Sequence, residues 1–222
     1  MEIINPSEIR IASDRIKNYI HRTPIFSSQI LNDLIGHQIY FKVEALQKTG
    51  AFKIRGALNT LLKLKENNNL PDEVVAFSSG NHSQAVAYAG KILNLKTTII
   101  LPEFASKIKQ QATKFYGANV ITAPTRREAE DLTAQIANRG AFFIHPFDND
   151  DVIAGQGTSC FEALQDLADE NIKAIFATCG GGGWLSGTFL AKELLAKKIK
   201  LFGVEPLQAN DASISYRDKK IF

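Results

Sequence analysis

Three short stretches of this chain hold residues whose types and spacing could do chemistry. The first is Thr49-Gly50-Ala51-Phe52-Lys53-Ile54-Arg55-Gly56, which sets a lysine at the opening of a predicted helix with Phe52 and Ile54 beside it. A lysine that forms an imine must spend time unprotonated. Partial desolvation lowers its pKa, and a positive helix N-terminus works in the same direction. The plainer reading of Lys53 is a surface lysine on an amphipathic helix. The second stretch, Ser78-Ser79-Gly80-Asn81-His82-Ser83, joins a predicted strand to a helix and offers free backbone N–H groups to an anion such as a carboxylate. Plain N-capping by Ser79 or Asn81 competes with that reading, and His82 on its own reads as a satisfied, partly buried histidine. The third, Thr178-Cys179-Gly180-Gly181-Gly182-Gly183-Trp184, places four glycines at a strand-to-helix junction. Such a run lets the backbone fold a nest of N–H groups around a phosphate, whereas a merely flexible loop of four glycines is costly to order. A dinucleotide-binding unit ending at Glu205 fails on spacing. Counting from Gly180 or Gly181, the last glycine of G-x-G-x-x-G would fall on Leu185 or Ser186.

Around these loops the sequence alternates short β-branched runs with longer amphipathic segments. Strands are predicted at 73–77, 97–101, 118–122, 141–145, 174–177 and 200–204. Helices are predicted at 81–93, 105–116, 126–139, 151–169 and 184–197. Five-residue strands alternating with helices of ten or more indicate right-handed βαβ units and parallel sheets, an α/β fold. The strands read as apolar on both faces, as for sheets held between helices. Before residue 70 the pattern differs, with helices at 6–19, 29–34 and 52–65 and a strand at 38–43. Polar connectors at KENNNLPDE (65–73) and PFDNDD (146–151) bracket a compact unit over 73–145, inserted into a larger domain formed by 1–68 and 147–222.

The chain has 222 residues, 45% hydrophobic and 22% charged, with 26 Lys plus Arg against 23 Asp plus Glu. A net charge of +3 gives no electrostatic footprint for nucleic acid, and Lys63, Lys65, Lys107 and Lys109 read as solvated helix faces. No apolar stretch approaches a bilayer span, so no membrane partner is expected. Two cysteines are too few for a disulfide framework, and the acidic start MEIINPSEIRIASDRI is unlike a signal peptide; a cytoplasmic setting is expected.

Taken together and in order, HRTPIFSS (21–28), KTGAFKIRGALN (48–59), SSGNHSQAVAYAGK (78–91), IAGQGT (153–158), GGGGWLSG (180–187) and GVEPLQANDA (203–212) resemble the fold-type II pyridoxal-phosphate (PLP) enzymes. The resemblance is to the serine/threonine dehydratase and serine racemase family, across essentially the whole chain. It implies a two-domain, tryptophan synthase β-like fold with the active site in the cleft. It further implies that Lys53 holds PLP as a Schiff base and acts as the base on one face. Phe52 would flank the cofactor, Asn81 would bond the pyridine's phenolic oxygen, and Gly180, Gly181, Gly182 and Gly183 would bind the phosphate. Ser78, Ser79, Gly80 and His82 fall in the substrate-carboxylate loop, with Ser79 at the second-face acid/base position of racemases. Glu205, the Ala209 carbonyl and Asp211 match a divalent cation site suited to Mg²⁺ or Ca²⁺, against the reading of solvated loop carboxylates. The expected substrate is a small β-hydroxy amino acid such as serine, threonine or 3-hydroxyaspartate, and the expected assembly a homo-oligomer.

Two departures stand out. Ala51 replaces a frequent Ser, and Trp184 replaces the usual aliphatic residue after the glycines. The resemblance also implies further chain beyond Phe222, including a Ser or Cys that bonds the pyridine nitrogen. The large domain is therefore expected to be incomplete and to expose apolar surface. Weak or absent activity, or a role as a non-catalytic interaction module, is the competing expectation.

Overall fold

The computed structural model describes residues 4–221. The outermost positions of the expected large domain, 1–3 and 222, lie outside the described residues, as does the very start of the stretch compared with a signal peptide. The chain opens with α1 (Glu8–Ile16), β1 (Ile25–Phe26), α2 (Gln29–Ile35), β2 (Phe41–Lys42), a 3₁₀ turn (Glu44–Leu46) and α3 (Lys53–Glu66). A run of alternating elements follows: β3 (Glu73–Phe77), α4 (Asn81–Leu93), β4 (Lys96–Pro102), α5 (Lys107–Phe115), β5 (Asn119–Ala123), α6 (Arg126–Ala137) and β6 (Phe142–Phe143). The last part holds α7 (Asp150–Asp166), β7 (Ala174–Thr178), α8 (Gly183–Leu195), β8 (Lys200–Val204) and α9 (Asp211–Asp218).

The strands from β3 to β6 form one parallel sheet in the order β5-β4-β3-β6, with Ala76 opposite Ile99 and Ile99 opposite Val120. Alternate residues face opposite sides, as strand pleating requires. Val74, Ala76, Ile99 and Leu101 join a buried cluster with Val86 and Ala89 of α4, while Val75 and Ile100 pack with Ala129 of α6. The first cluster continues into Ile54, Leu58 and Leu61 of α3, so the helix that carries Lys53 shares its core with the sheet. A second parallel pair, β7–β8, brings Phe176 opposite Phe202. Their rings stack at 5.1 Å with Phe176 70% exposed, so this sheet, unlike β3–β4, shows an apolar face to solvent.

Two expected strands shorten for visible reasons. Where 38–43 was expected extended, only Phe41–Lys42 pairs, antiparallel to β1. The Ile39 N–H donates to Asn32 Oδ1 and its carbonyl accepts from Ser27 Oγ, so side chains take the place of a ladder. Strand 141–145 contracts to Phe142–Phe143, and the Ile144 carbonyl is taken by His82 instead. Helix starts follow local chemistry. Asn149 Oδ1 accepts from the N–H groups of Asp151 and Val152 to open α7, and Thr125 caps α6 with Glu128 at the third position.

Helix α7 is the hub of the site's supports. A Cβ on Gly155 would lie 2.6 Å from the Arg55 carbonyl oxygen on α3, and one on Gly157 would lie 2.5 Å from the Gly187 carbonyl oxygen on α8. Residues two apart on a helix face different neighbours. The two glycines therefore let one helix meet α3 and α8 at backbone contact, fixing the Lys53 end of the first relative to the glycine loop of the second.

Candidate active site

Lys53 is the first residue of α3, preceded by Phe52 as a cap residue that contributes no side-chain hydrogen bond. Its Nζ donates to the Pro146 carbonyl at 2.6 Å and sits 5.3 Å from the centre of the Phe52 ring. Burial pushes the ammonium down from the ordinary 10.5 to about 8. The glycine run lies opposite, between β7 and α8. Gly182 takes a positive φ of 86° and starts α8 without a side-chain cap. Phe52, Lys53, Phe147, the four glycines, Trp184 and Glu205 wall a single cleft of about 610 Å³.

Two aromatic residues shape this cleft in ways the sequence reading did not assign. Phe147 packs so tightly on the glycine run that a Cβ on Gly181 would lie 2.2 Å from its ring, and one on Gly183 would lie 2.6 Å from its carbonyl oxygen. Trp184 stacks on Phe52 at 4.1 Å and 20°, and its Nε1 donates to Ser159 Oγ of α7 at 2.9 Å. The bulky indole thus ties the starts of α3 and α8 to α7. The proximity to Phe147 was legible only as the turn-rich PFDNDD stretch; nothing local in the sequence pointed to the stack.

The Ser78–Ser83 loop approaches from the other sheet. Gly80 is the residue that starts α4, and no side chain caps it, so neither Ser79 nor Asn81 does the capping that the plainer reading assigned them. Ser79 and Asn81 are not buried, the Gly80 N–H donates to Ser78 Oγ, and Ser83 Oγ donates to the Gly80 carbonyl. Lys109, read from sequence as a solvated helix face, brings its Nζ within 3.4 Å of where a Cβ on Gly80 would stand. His82 is buried; its Nε2 bonds the Ile144 carbonyl at 2.9 Å and its Nδ1 has no partner among the described residues. Desolvation, with the Lys53 and His145 charges adding to it, holds His82 down to about 3 against the one opposing hydrogen bond, to the Ile144 carbonyl. His145 is also lowered, first by burial and in part by Lys53. The loop does not wall the cleft directly. It is joined to Lys53 through the segment after β6, where the Ile144 carbonyl meets His82 and the Pro146 carbonyl meets Lys53.

The three expected cation ligands are arranged differently from a ready-made metal site. Glu205 Oε1 accepts from the Ala212 N–H at 3.1 Å, and Oε2 accepts from both Ser213 N–H and Oγ at 2.8 Å, so this carboxylate closes the N-terminus of α9. Desolvation opposes its ionisation, but the Ser213 and Ala212 hydrogen bonds win and lower its pKa. Asp211 is in the first turn of the same helix, and the Ala209 N–H bonds the Pro206 carbonyl. Among the described residues no group of three or more His, Cys, Asp or Glu gathers as a metal site. Nor, among them, is any helix long and apolar enough to cross a membrane.

A desolvated lysine facing a glycine loop at a helix start is the arrangement that suits an aldehyde cofactor with a phosphate tail. The family model of the pyridoxal-phosphate dependent enzymes matches residues 16–221. The chain belongs to this family. It is 46% identical over 212 residues to an L-threo-3-hydroxyaspartate ammonia-lyase of Saccharomyces cerevisiae, covering 95% of this chain and 64% of that protein. The crystal structure of serine racemase from Dictyostelium discoideum superimposes with a TM-score of 0.91 at 42% identity, over 99% of this chain and 71% of that one. Maize serine racemase superimposes at 0.94 with 34% identity, over 100% and 67%. The fold is therefore α/β of the fold-type II PLP class. The chain spans less than two thirds of the length of the first curated relatives it matches, 64% and 65%.

The residues present fit PLP. Lys53 offers a partly neutral amine, and α8 begins with open N–H groups at a loop whose Gly182 takes a positive φ. Phe52, backed by Trp184, gives the cleft an aromatic wall. The fit to a divalent cation is poorer, because Glu205 is already engaged by α9.

Proposed function

We propose that this chain provides the PLP-holding half-site of an ammonia-lyase acting on small β-hydroxy amino acids, with racemisation as a neighbouring outcome. The observation that carries the reading is one cleft walled by both the desolvated Lys53 and the uncapped glycine run of α8. In this reading Lys53 holds the cofactor, Phe52 flanks its ring, Asn81 bonds its phenolic oxygen and Gly180 to Gly183 take its phosphate. PLP, when bound, supplies an electron sink for the charge left at the substrate's Cα. The uncapped start of α4, with Ser78, Ser79, Gly80 and His82, would receive the substrate carboxylate. Lys53 Nζ, once freed by the substrate's amine, removes the proton from Cα; the β-hydroxyl takes up a proton and leaves as water, and a water molecule added back releases the 2-oxo acid and ammonia. Return of a proton to Cα from Ser79 Oγ gives the other enantiomer instead.

Serine, threonine and 3-hydroxyaspartate are the substrate candidates, since relatives named for hydroxyaspartate and serine chemistry lie at 46% and 43% identity. The division into 1–68 plus 147–222 and 73–145 is part of the same proposal; the separate parallel sheets on either side of residue 147 support it. A homo-oligomer also belongs to it. A Mg²⁺ or Ca²⁺ site at Glu205, Ala209 and Asp211 has less support than the capping role of Glu205.

The test is the visible spectrum of the purified chain incubated with PLP, beside Lys53→Ala, followed by borohydride and mass spectrometry of the tryptic peptides. A yellow band in the wild type, a reduced adduct on Lys53 and neither in the variant are expected. Formation of 2-oxo acid from L-serine, L-threonine and hydroxyaspartate then ranks the substrates. Indistinguishable spectra would sink the reading and favour a non-catalytic interaction module.

A further inference from the structure

Directly behind Lys53, two positions along α3 and so on its other side, lies a set of largely buried charges, joined at its rim through Lys42 to Asp166 at 4.0 Å. Arg55 is fully buried and all five of its N–H donors are used. Nε and Nη2 hold both oxygens of Glu44 at 2.8 Å. Nη1 and Nη2 hold both oxygens of Glu162 at 2.7 and 2.9 Å, and Nη1 also donates to Thr158 Oγ1 at 3.1 Å. Lys42 meets Glu162 at 2.7 Å, and Thr23 Oγ1 donates to Glu44. Arg55 and Lys42 balance Glu44 and Glu162, so the set carries no net charge. Its charged members come from α3, α7, β2 and the 3₁₀ turn, and it meets the Arg55 backbone where Gly155 lets α7 touch α3.

We propose that Arg55 is a positioning residue for Lys53, its two-carboxylate fork locking the first turn of α3 so that Nζ is held against the Pro146 carbonyl. This rests on Lys53 being the reactive amine, as proposed above. Two features support geometry over charge. The forks use two edges of a planar guanidinium, which an ammonium cannot reproduce. The lowering at Lys53 has burial as its cause, as a neutral set behind it requires. His82 and His145 face Lys53 from α4 and from the segment after β6, and neither belongs to the set.

The test needs no cofactor: reductive methylation of the full chain, with the pH profile at each lysine read by mass spectrometry. Lys65 and Lys107, exposed on α3 and α5, serve as internal controls. Wild-type Lys53 should methylate with a midpoint near pH 8. Arg55→Lys keeps the charge and loses the fork, so Nζ should swing into water and its rate at pH 8 fall by about tenfold or more, with the controls unchanged. Glu162→Gln sets an amide donor against one Nη of Arg55 and opens one of the two forks. It also leaves one positive charge unbalanced, which alone would favour the neutral amine and speed methylation. A slower rate in a folded Glu162→Gln therefore points to lost geometry, and this variant also serves if Arg55→Lys does not fold. A folded Arg55→Lys with the wild-type Lys53 profile overturns the proposal, as does a folded Glu162→Gln in which Lys53 methylates as fast as in wild type or faster. If wild-type Lys53 itself methylates like the controls, the reading of Lys53 as the reactive amine fails first, and this inference with it.

Discussion

Replacing Lys53 by Met should make the protein more stable, and the gain should vanish at high pH. The fall of Lys53 from 10.5 to about 8 corresponds to about 3 kcal/mol of preference for the neutral amine in the folded chain. Below pH 8 the amine is protonated in both folded and unfolded states, so the folded state carries that cost in full. Between pH 8 and 10.5 the unfolded chain binds more protons, and folding stability rises with pH as the cost is removed. Met has a similar length and no charge, and it loses the bond to the Pro146 carbonyl, worth about 1 kcal/mol. The net expectation is a gain of about 2 kcal/mol at pH 7, shrinking from pH 8 upward and reversing to a loss of about 1 kcal/mol above pH 10.5. Urea unfolding followed by the fluorescence of Trp184, the single tryptophan and one stacked on Phe52, measures it. A Met variant no more stable than wild type at pH 7, or one whose gain is flat from pH 7 to 10, would refute the desolvation argument.

Two further outcomes follow from the packing. His82 is kept neutral by burial, so the chain should lose stability as pH falls from the ordinary histidine range towards 3, about 2 kcal/mol of it by pH 5. Urea unfolding of wild type and His82→Gln at pH 7.5 and 5 isolates that share, and equal slopes in the two proteins would refute it. Gly157→Ala drives a methyl into the Gly187 backbone and should cost about 3 kcal/mol, whereas Gly180→Ala points into open space and should leave the melting temperature nearly unchanged. Thermal melts of the two variants decide it.

The strands and helices that were legible in the sequence are those whose ends are set locally. Glu73–Phe77, Asn81–Leu93 and Lys200–Val204 run where the β-branched runs and loop residues place them. Elements whose ends are set by groups outside the helix or strand itself were not legible. Helix α9 starts where Glu205 accepts from Ala212 and Ser213, and β1 exists only because Phe41–Lys42 lies beside it. At the site, Lys53 and the glycine run announced themselves by residue type. The Arg55 fork did not, because Glu162 is 107 positions away and an arginine beside a helix start has no local signature. The IAGQGT stretch was recognisable as a pattern, but its physical reason, backbone contact with α3 on one side and α8 on the other, lies in the crossing of three helices.

The segment after β6 gives these parts a common logic. β6 ends at Phe143 because the next carbonyls are needed elsewhere: that of Ile144 for His82, and that of Pro146 for Lys53. His145 lies between them and turns its Nδ1 back to accept from the N–H groups of Phe147 and Asp148. Three basic side chains on three segments are thereby held within electrostatic reach of one another in a largely dehydrated place. Lys53 is the most basic, so it takes the first proton, and its charge then helps to lower both histidines. The region thus carries at most one positive charge at neutral pH, on a lysine that is half neutral near pH 8. A lysine in ordinary surroundings at that pH would be neutral in roughly 0.3% of molecules. The fold raises the reactive fraction by roughly a hundredfold through burial alone, before any ligand arrives.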